Sequence, residues 1–181
     1  MSEIAPGFLV AVPQLGDPNF HRAVVLMLEH SERGAMGLIV NRPAPLKLNE
    51  VARGQGVQVG AEYENALVLV GGPVEPERGF VLHDRKELPE AIPLFEGMFV
   101  SGSLDTLKML FHGSPTRFRL CLGYAGWGPG QLEKEMREGA WITAEPSSRY
   151  VLKMHPAQLW ETVLREMGID PVMLMHTGGL Q

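Results

Sequence analysis

Short apolar runs separated by turn residues open the chain. Phe8 to Val12 lies between Gly7 and Pro13, and its unbroken apolarity predicts a strand covered on both faces. Gln14 to Asn19 carries Gly16 and Asp17-Pro18, a turn-rich connection. Ala23 to Leu28 is a second apolar run. Glu29-His30-Ser31-Glu32-Arg33-Gly34 is expected to turn the chain into Ala35 to Val40, making a hairpin. Asn41-Arg42-Pro43 should end that strand, because proline cannot donate to a ladder.

The second third alternates weaker signals with strong ones. A short helix is predicted around Glu50 to Arg53, stopped by Gly54, and a strand over Ala66 to Val70, broken by Gly71-Gly72-Pro73. Gly79 to Leu82 reads as a weaker strand, Leu88 to Gly97 as loop because of Pro89 and Pro93, and Met98 to Ser101 as a short strand. Ser103 suits an N-cap for a helix over Leu104 to Phe111, which Gly113-Ser114-Pro115 stops. Thr116 to Leu122 predicts a strand, and helices follow over Gln131 to Glu138 and from Pro156 to Gly168, with Ala140 to Ala144 extended between them. Strands crowd the first two-thirds without regular β-α alternation. The reading is an α+β domain over residues 1–181, not a doubly wound sheet.

Gly123-Tyr124-Ala125-Gly126-Trp127-Gly128-Pro129-Gly130-Gln131-Leu132-Glu133 joins the predicted strand at Thr116 to Leu122 to the next helix. Its glycines could aim backbone donors at a phosphate. No Lys-Ser or Lys-Thr follows the last glycine, the spacing misses the dinucleotide fingerprint, Pro129 removes a donor, and Glu133 and Glu135 would repel an anion. A tight corner anchored by Trp127 is therefore the favoured reading.

Composition narrows the function classes. The 181 residues have a formal net charge of −5 without a basic block, so direct nucleic-acid binding is not expected. No apolar stretch approaches the ~18 residues of a membrane helix. The N-terminal sequence lacks the basic start and apolar core of a signal peptide, which predicts a cytoplasmic protein. Cys121 is the single cysteine and sits in an apolar strand pattern, so it reads as a buried thiol. The six histidines show no metal-ligand spacing, and no cofactor or metal is expected.

No Gly-x-Ser-x-Gly elbow is present, and acidic pairs such as Glu133 with Glu135 or Glu62 with Glu64 suit a solvated face. Arg22, His30, Asn41 and Arg42 end apolar runs and could gather at one rim of a sheet to hold a polar or anionic ligand. Equally, such residues fix turns by binding loop carbonyls. Together with Trp127, Gln131 and Glu133 at the glycine-tryptophan corner they form the candidate ligand-binding set.

The ordered blocks resemble the YqgE/AlgH family of bacterial proteins. They are Gly7-Phe8-Leu9-Val10-Ala11 with Pro13, Asp17-Pro18-Asn19-Phe20 with Arg22, Val24 to Leu28 with Glu29-His30, and Gly34-Ala35. Gly37-Leu38-Ile39-Val40-Asn41-Arg42-Pro43, Gly71-Gly72-Pro73-Val74 and Leu82-His83 follow. The strongest block is Gly123 with Gly126-Trp127, Gly130-Gln131-Leu132-Glu133 and Glu135, then Gly139 and Trp141. Ala23 departs from the family's usual hydroxyl residue, so no role for that hydroxyl transfers. The resemblance implies an α+β fold with a bulged, coiled, mainly antiparallel sheet and packed helices, and it brings no reaction. One member's label as a transcriptional regulator finds no helix-turn-helix here.

Taken together, the expectation is a binding or accessory module for an unknown small molecule or protein, with no oligomeric state implied. The alternatives are a hydrolase or transferase working through His30 or His83, or indirect regulation through a partner contacting Met167, Met173 and Met175.

Overall fold

The structure is a computed structural model that describes residues 4–13, 17–60, 63, 66–102, 104–112 and 117–173. All ten of its strands join one curled sheet. In chain order the elements are β1 (Gly7–Ala11), β2 (Val24–Ser31), β3 (Gly34–Ile39), β4 (Pro43–Lys47), α1 (Leu48–Gly54), β5 (Leu67–Val70), β6 (Val74–His83) and β7 (Ile92–Phe95). Then come β8 (Met98–Ser101), α2 (Leu104–His112), β9 (Phe118–Trp127), α3 (Gln131–Arg137), β10 (Trp141–Ala144), α4 (Ser148–Leu152) and α5 (Pro156–Glu166). The strand order is β10-β1-β2-β3-β9-β6-β8-β7, with β4 paired to β5 and β5 paired in parallel to β9. Every other pairing is antiparallel.

Both faces of the β1–β2–β3 region are covered, which is why these strands read as continuous apolar runs. Phe8, Val10, Val24, Leu26 and Leu38 pack with Tyr150, Val151 and Leu152 of α4 and with Leu159, Trp160, Val163 and Leu164 of α5. Leu9, Val25, Met27 and Ile39 point the other way, into a cluster with Trp127, Leu132 of α3 and Trp141. A third cluster joins Val68, Val81 and Leu120 to Leu48 and Ala52 of α1 and Leu110 of α2. The Trp160 indole N–H donates to the Ala11 carbonyl at 2.8 Å, fixing α5 across β1.

β9 is the strand on which the sheet turns. Its first half pairs with β5 and β6, and its last residues pair with β3 through Ala35↔Trp127, Met36↔Gly126 and Gly37↔Ala125. Gly71 fills the junction. Its N–H donates to Leu122 O and its carbonyl accepts from Ile39 N, both at 2.8 Å. Both main-chain groups of Gly71 are therefore paired at the change of partner. Gly123 is left-handed at φ 77°, and a β-carbon on it would lie 2.4 Å from Gly72 O. Only glycine fits.

Three expectations need correction. Gly123 to Trp127 continue β9, so the sharp corner is confined to Gly128, Pro129 and Gly130. Ladder pairing to β3 overrides the turn preference of the glycines. β2 runs on to Ser31, which leaves Glu32 and Arg33 as the turn. The segment read as loop contains β7, whose Pro93 is tolerated because the strand has only one neighbour, β8. α4 was not foreseen, since five residues are too few to show a helical period. The expected Ser103 cap, the Gly113-Ser114-Pro115 stop and the Glu62 and Glu64 pair lie outside the described residues.

Cys121 is fully buried, and burial pushes its thiol up to about 12. Arg119, also largely enclosed and lowered by desolvation, donates to the carbonyls of Val151 at 3.0 Å and Met154 at 3.1 Å, closing the C-terminal end of α4. Gly123→Ala is expected to lower stability by at least ~2 kcal/mol through the left-handed backbone and the clash with Gly72. Gly139→Ala, at the same φ of 77° with open space around it, should cost only ~1 kcal/mol. Urea midpoints of the two variants check the difference.

Candidate functional site

The glycine-tryptophan corner is held by a carboxylate two residues beyond the candidate set. Glu135 on α3 accepts the indole N–H of Trp141 at 2.9 Å and of Trp127 at 3.1 Å on one oxygen, and Gln131 Nε2 at 3.1 Å on the other. Gln131 Oε1 in turn accepts the Gly128 N–H at 3.0 Å. Trp127 is buried, with Phe20 stacked on it at 5.8 Å and 21° and Trp141 edge-on at 6.0 Å. Both indoles thus find a charged acceptor while their rings fill the core. Glu135 was expected on a solvated face; it is instead an internal clamp. Its signal in the sequence was the presence of Trp127 and Trp141 eight residues before and six after it, which only the fold brings together.

His30 reaches the same helix because β2 is bulged. Met27 pairs with Gly37, but one extra residue then puts Glu29 opposite Met36 and His30 opposite Ala35. Without the bulge His30 would follow Leu26 and Leu28 onto the α5 face. With it, His30 emerges beside Ala35 under α3. The Ile4 N–H donates to His30 Nδ1 at 3.0 Å, so the ring proton sits on Nε2 and is donated to Glu133. His30 is only 8 % exposed. The bond from His30 holds the Glu133 carboxyl below its ordinary value. Main chain, imidazole and carboxylate therefore tie residue 4 to α3.

The other half of the candidate set lies elsewhere. Arg22 precedes β2 while His30 is near its end, roughly 26 Å along the strand at ~3.3 Å per residue. Asn41 donates to the Arg22 carbonyl and accepts from Val24 N, both at 2.9 Å. Arg42 donates to the carbonyls of Asn19 and His21, and burial lowers its pKa against the pull of Asp17. The Arg22 guanidinium lies over the Trp160 ring at 5.1 Å. Asn41 and Arg42 thus clip the turn that leads into β2. A cavity of about 320 Å³ adjoins them, lined also by Pro156 and Glu161.

A larger groove of about 830 Å³ opens on the opposite side of the sheet from α3, where β2, β3 and β9 meet the start of β6. Its floor is Leu28, Met36, Val74, Tyr124 and Gly126, and Glu29 and Arg33 stand on its rim. Leu28, Met36 and Tyr124 are the half-buried fringe of the α5-side core. His30 and Trp127 border it from the α3 side. Glu29 is on the groove side because the bulge pairs it with Met36.

His83 has a different neighbourhood. Its Nδ1 accepts the Arg85 N–H at 3.1 Å, so Nε2 carries the proton and donates to Ser101 Oγ at 2.9 Å. Ser101 passes its own proton toward the Pro89 carbonyl, which also accepts from Thr106. A base that activates serine must accept that proton, and here the polarity is reversed. His83 and Ser101 are fully buried. Among the described residues no His, Cys, Asp and Glu side chains gather as a metal centre.

The curled ten-stranded sheet, backed by helices on both faces and open at one groove, defines an α+β protein of the half-barrel type. A family model described as AlgH-like matches residues 8–172, and the chain belongs to that family. A UPF0301 protein of Myxococcus xanthus is 53% identical over 180 residues, covering 99% of both chains. Another, from Paracoccus denitrificans, is 40% identical over 98% of this chain and 97% of its own. The solution structure of AlgH from Pseudomonas aeruginosa superposes with a TM-score of 0.79 at 32% identity, over 96% of this chain and 94% of that one. A Corynebacterium diphtheriae protein shares the fold at TM-score 0.76 and 23% identity, over 96% and 92% of the two chains.

Two predictions follow the geometry of these clusters. Glu135→Ala leaves two buried indole N–H groups without an acceptor and should cost ~3 kcal/mol, whereas Gln131→Ala on the exposed side should cost under ~1 kcal/mol; urea unfolding followed by tryptophan fluorescence separates them. Burial holds the His83 pKa below its ordinary 6.5, opposed by Asp84 and Glu87. Above 6.5 the native and unfolded chains are both neutral there. As pH falls through 6.5 only the unfolded chain takes up the proton, so stability is lost from that point downward. Melting temperatures between pH 8 and roughly 5 should therefore fall more steeply for the parent than for His83→Gln.

Proposed function

We propose that this protein is a binding module whose ligand lies in the groove beside the glycine-tryptophan corner. The observation that carries the reading is the half-exposed apolar floor of Leu28, Met36 and Tyr124, set between charged rim residues Glu29 and Arg33. An apolar floor with few polar groups around it is the usual make-up of a small-molecule site. In this reading Trp127, Gln131 and Glu133 do not touch the ligand. With Glu135 and His30 they hold β9, α3 and β2 in the arrangement that shapes the groove. Arg22 before β2, and Asn41 and Arg42 after β3, which clip the turn ahead of β2, serve the fold in this reading.

The reading takes the ligand to be a small molecule and not nucleic acid. The net charge is −5, and the guanidiniums of Arg42 and Arg119 are committed to main-chain carbonyls. It takes the protein to act in the cytoplasm, which suits a chain with one thiol and no helix among the described residues long and apolar enough to cross a membrane. Any regulatory effect would then run through a bound ligand or protein partner. Met167 and Met173 are exposed, while Met175 lies outside the described residues.

Gly126 gives a direct test. It lies within β9, and a β-carbon there would come no closer than 3.7 Å to Tyr124 and 3.9 Å to Val74. Gly126→Leu should fill the groove at a stability change within ~1 kcal/mol. In a thermal-shift metabolite screen, compounds that raise the melting temperature of the parent should leave Gly126→Leu unmoved. Equal shifts in both proteins, or no hit on the parent, would remove the groove as the site.

A further inference from the structure

At the β6 end of the groove two aromatic rings meet at a right angle, and the chain's own arginine sits against both. Phe80 and Tyr124 are edge-to-face at 6.2 Å and 81°. The Arg78 guanidinium carbon lies 4.9 Å from the Phe80 ring centre and 5.8 Å from that of Tyr124. Glu75 completes the arrangement. Its carboxylate is 3.4 Å from Arg78 and accepts the Tyr124 hydroxyl, a bond that raises the phenol's pKa. Two ring faces with an adjacent carboxylate are the elements by which proteins recognise guanidinium and ammonium groups.

Arg78 is poorly fixed in this place. β6 pairs Val74 with Tyr124 and then Gly79 with Leu122, so Glu75 to Arg78 stand opposite Gly123 alone. The four residues form an enlarged bulge, with Glu75 left-handed at φ 46°. Pro76 within it has no N–H to offer a ladder. The Arg78 and Glu75 side chains are 53% and 57% exposed, and an ion pair that open adds little to stability. Tyr124 and Val74 are shared with the groove.

We infer that the Phe80–Tyr124 corner with Glu75 is a cation subsite of the groove, that Arg78 occupies it in the free protein, and that the ligand is a small molecule bearing a guanidinium or alkylammonium group on an apolar body. This rests on the groove reading and deepens it. The ligand's apolar part lies over Val74, Tyr124 and Met36, its cationic end displaces Arg78, and Glu29 supplies a second negative charge on the far rim. Arg33 on that rim limits the ligand to one cationic end, since a second would meet like charge.

The probe is n-butylguanidinium, a monocation on an apolar chain, titrated against parent and variants with the aromatic proton shifts of Phe80 and Tyr124 as readout. Arg78→Ala vacates the corner by truncating a half-exposed side chain and should bind n-butylguanidinium about tenfold tighter than the parent, or ~1.4 kcal/mol. Adding Glu75→Gln, or Tyr124→Leu as a second route, should return the affinity to the parent's or below. Equal affinity in parent and Arg78→Ala, or binding that survives Tyr124→Leu, overturns the inference. If n-butylguanidinium fails while Gly126→Leu still blocks other compounds, the cation subsite falls and the groove stands. If n-butylguanidinium binds Arg78→Ala and Gly126→Leu in that background leaves it unchanged, the corner stands without the groove.

Discussion

At Gly123 the main chain of β9 passes against Gly71-Gly72 so closely that a β-carbon on any of the three would lie within 2.2 to 2.4 Å of the other segment's backbone. Beside that contact β9 exchanges the parallel β5 for the antiparallel β3, with Gly71 bonded to Leu122 on one side and Ile39 on the other. The curl of the sheet follows, because β3 carries β2, β1 and β10 while β6 carries β8 and β7. The same contact frees Glu75 to Arg78 from the ladder, since those residues have only Gly123 to face. A close approach of two backbones thus sets both the architecture and the looseness of one groove edge.

A second constraint operates at the other end of β9. Three hydrogen bonds converge on Glu135, two from the indoles of Trp127 on β9 and Trp141 on β10 and one from Gln131 of the same helix. The His30–Glu133 pair adds β2, and Ile4 adds the start of the chain. α3 has only seven residues, too short to persist on its own. Polar contacts to β2, β9 and β10 hold it, with Leu132 beneath. Polar residues of the glycine-tryptophan block therefore take part in holding α3 to the sheet.

Much of the fold was legible where one physical signal was enough. Uninterrupted apolar runs gave β1, β2 and β5, and the broad stripe from Leu159 to Met167 gave α5. Family-like blocks implied the coiled sheet. Gly123 to Trp127 misled because glycines favour turns locally, and only the pairing with β3, some ninety residues earlier in sequence, makes them strand. His30 could be singled out but not oriented, since the bulge after Met27 reverses its face and no residue type announces a bulge there. Arg22, Asn41 and Arg42 looked like a rim that could hold a ligand or a turn; Asn41 and Arg42 bind the carbonyls of Asn19, His21 and Arg22, and all three also line a cavity of about 320 Å³. The groove itself depends on Tyr124, Met36 and Val74 converging from three strands, and no short stretch of sequence encodes that.

Native-state amide hydrogen exchange of the free protein tests most directly whether the glycine-rich segment is sheet. With β9 continuing to Trp127, the amides of the 124–127 segment that point to β3 exchange as slowly as those of Leu120 to Leu122, through global unfolding only. The Gly130 amide should exchange far faster, while Pro129 has none and the Gly128 N–H is held by Gln131. Uniformly fast exchange from Gly123 to Gly130 would contradict the account, for β9 would then end at Leu122 and neither the junction at Gly71 nor the groove would have its wall.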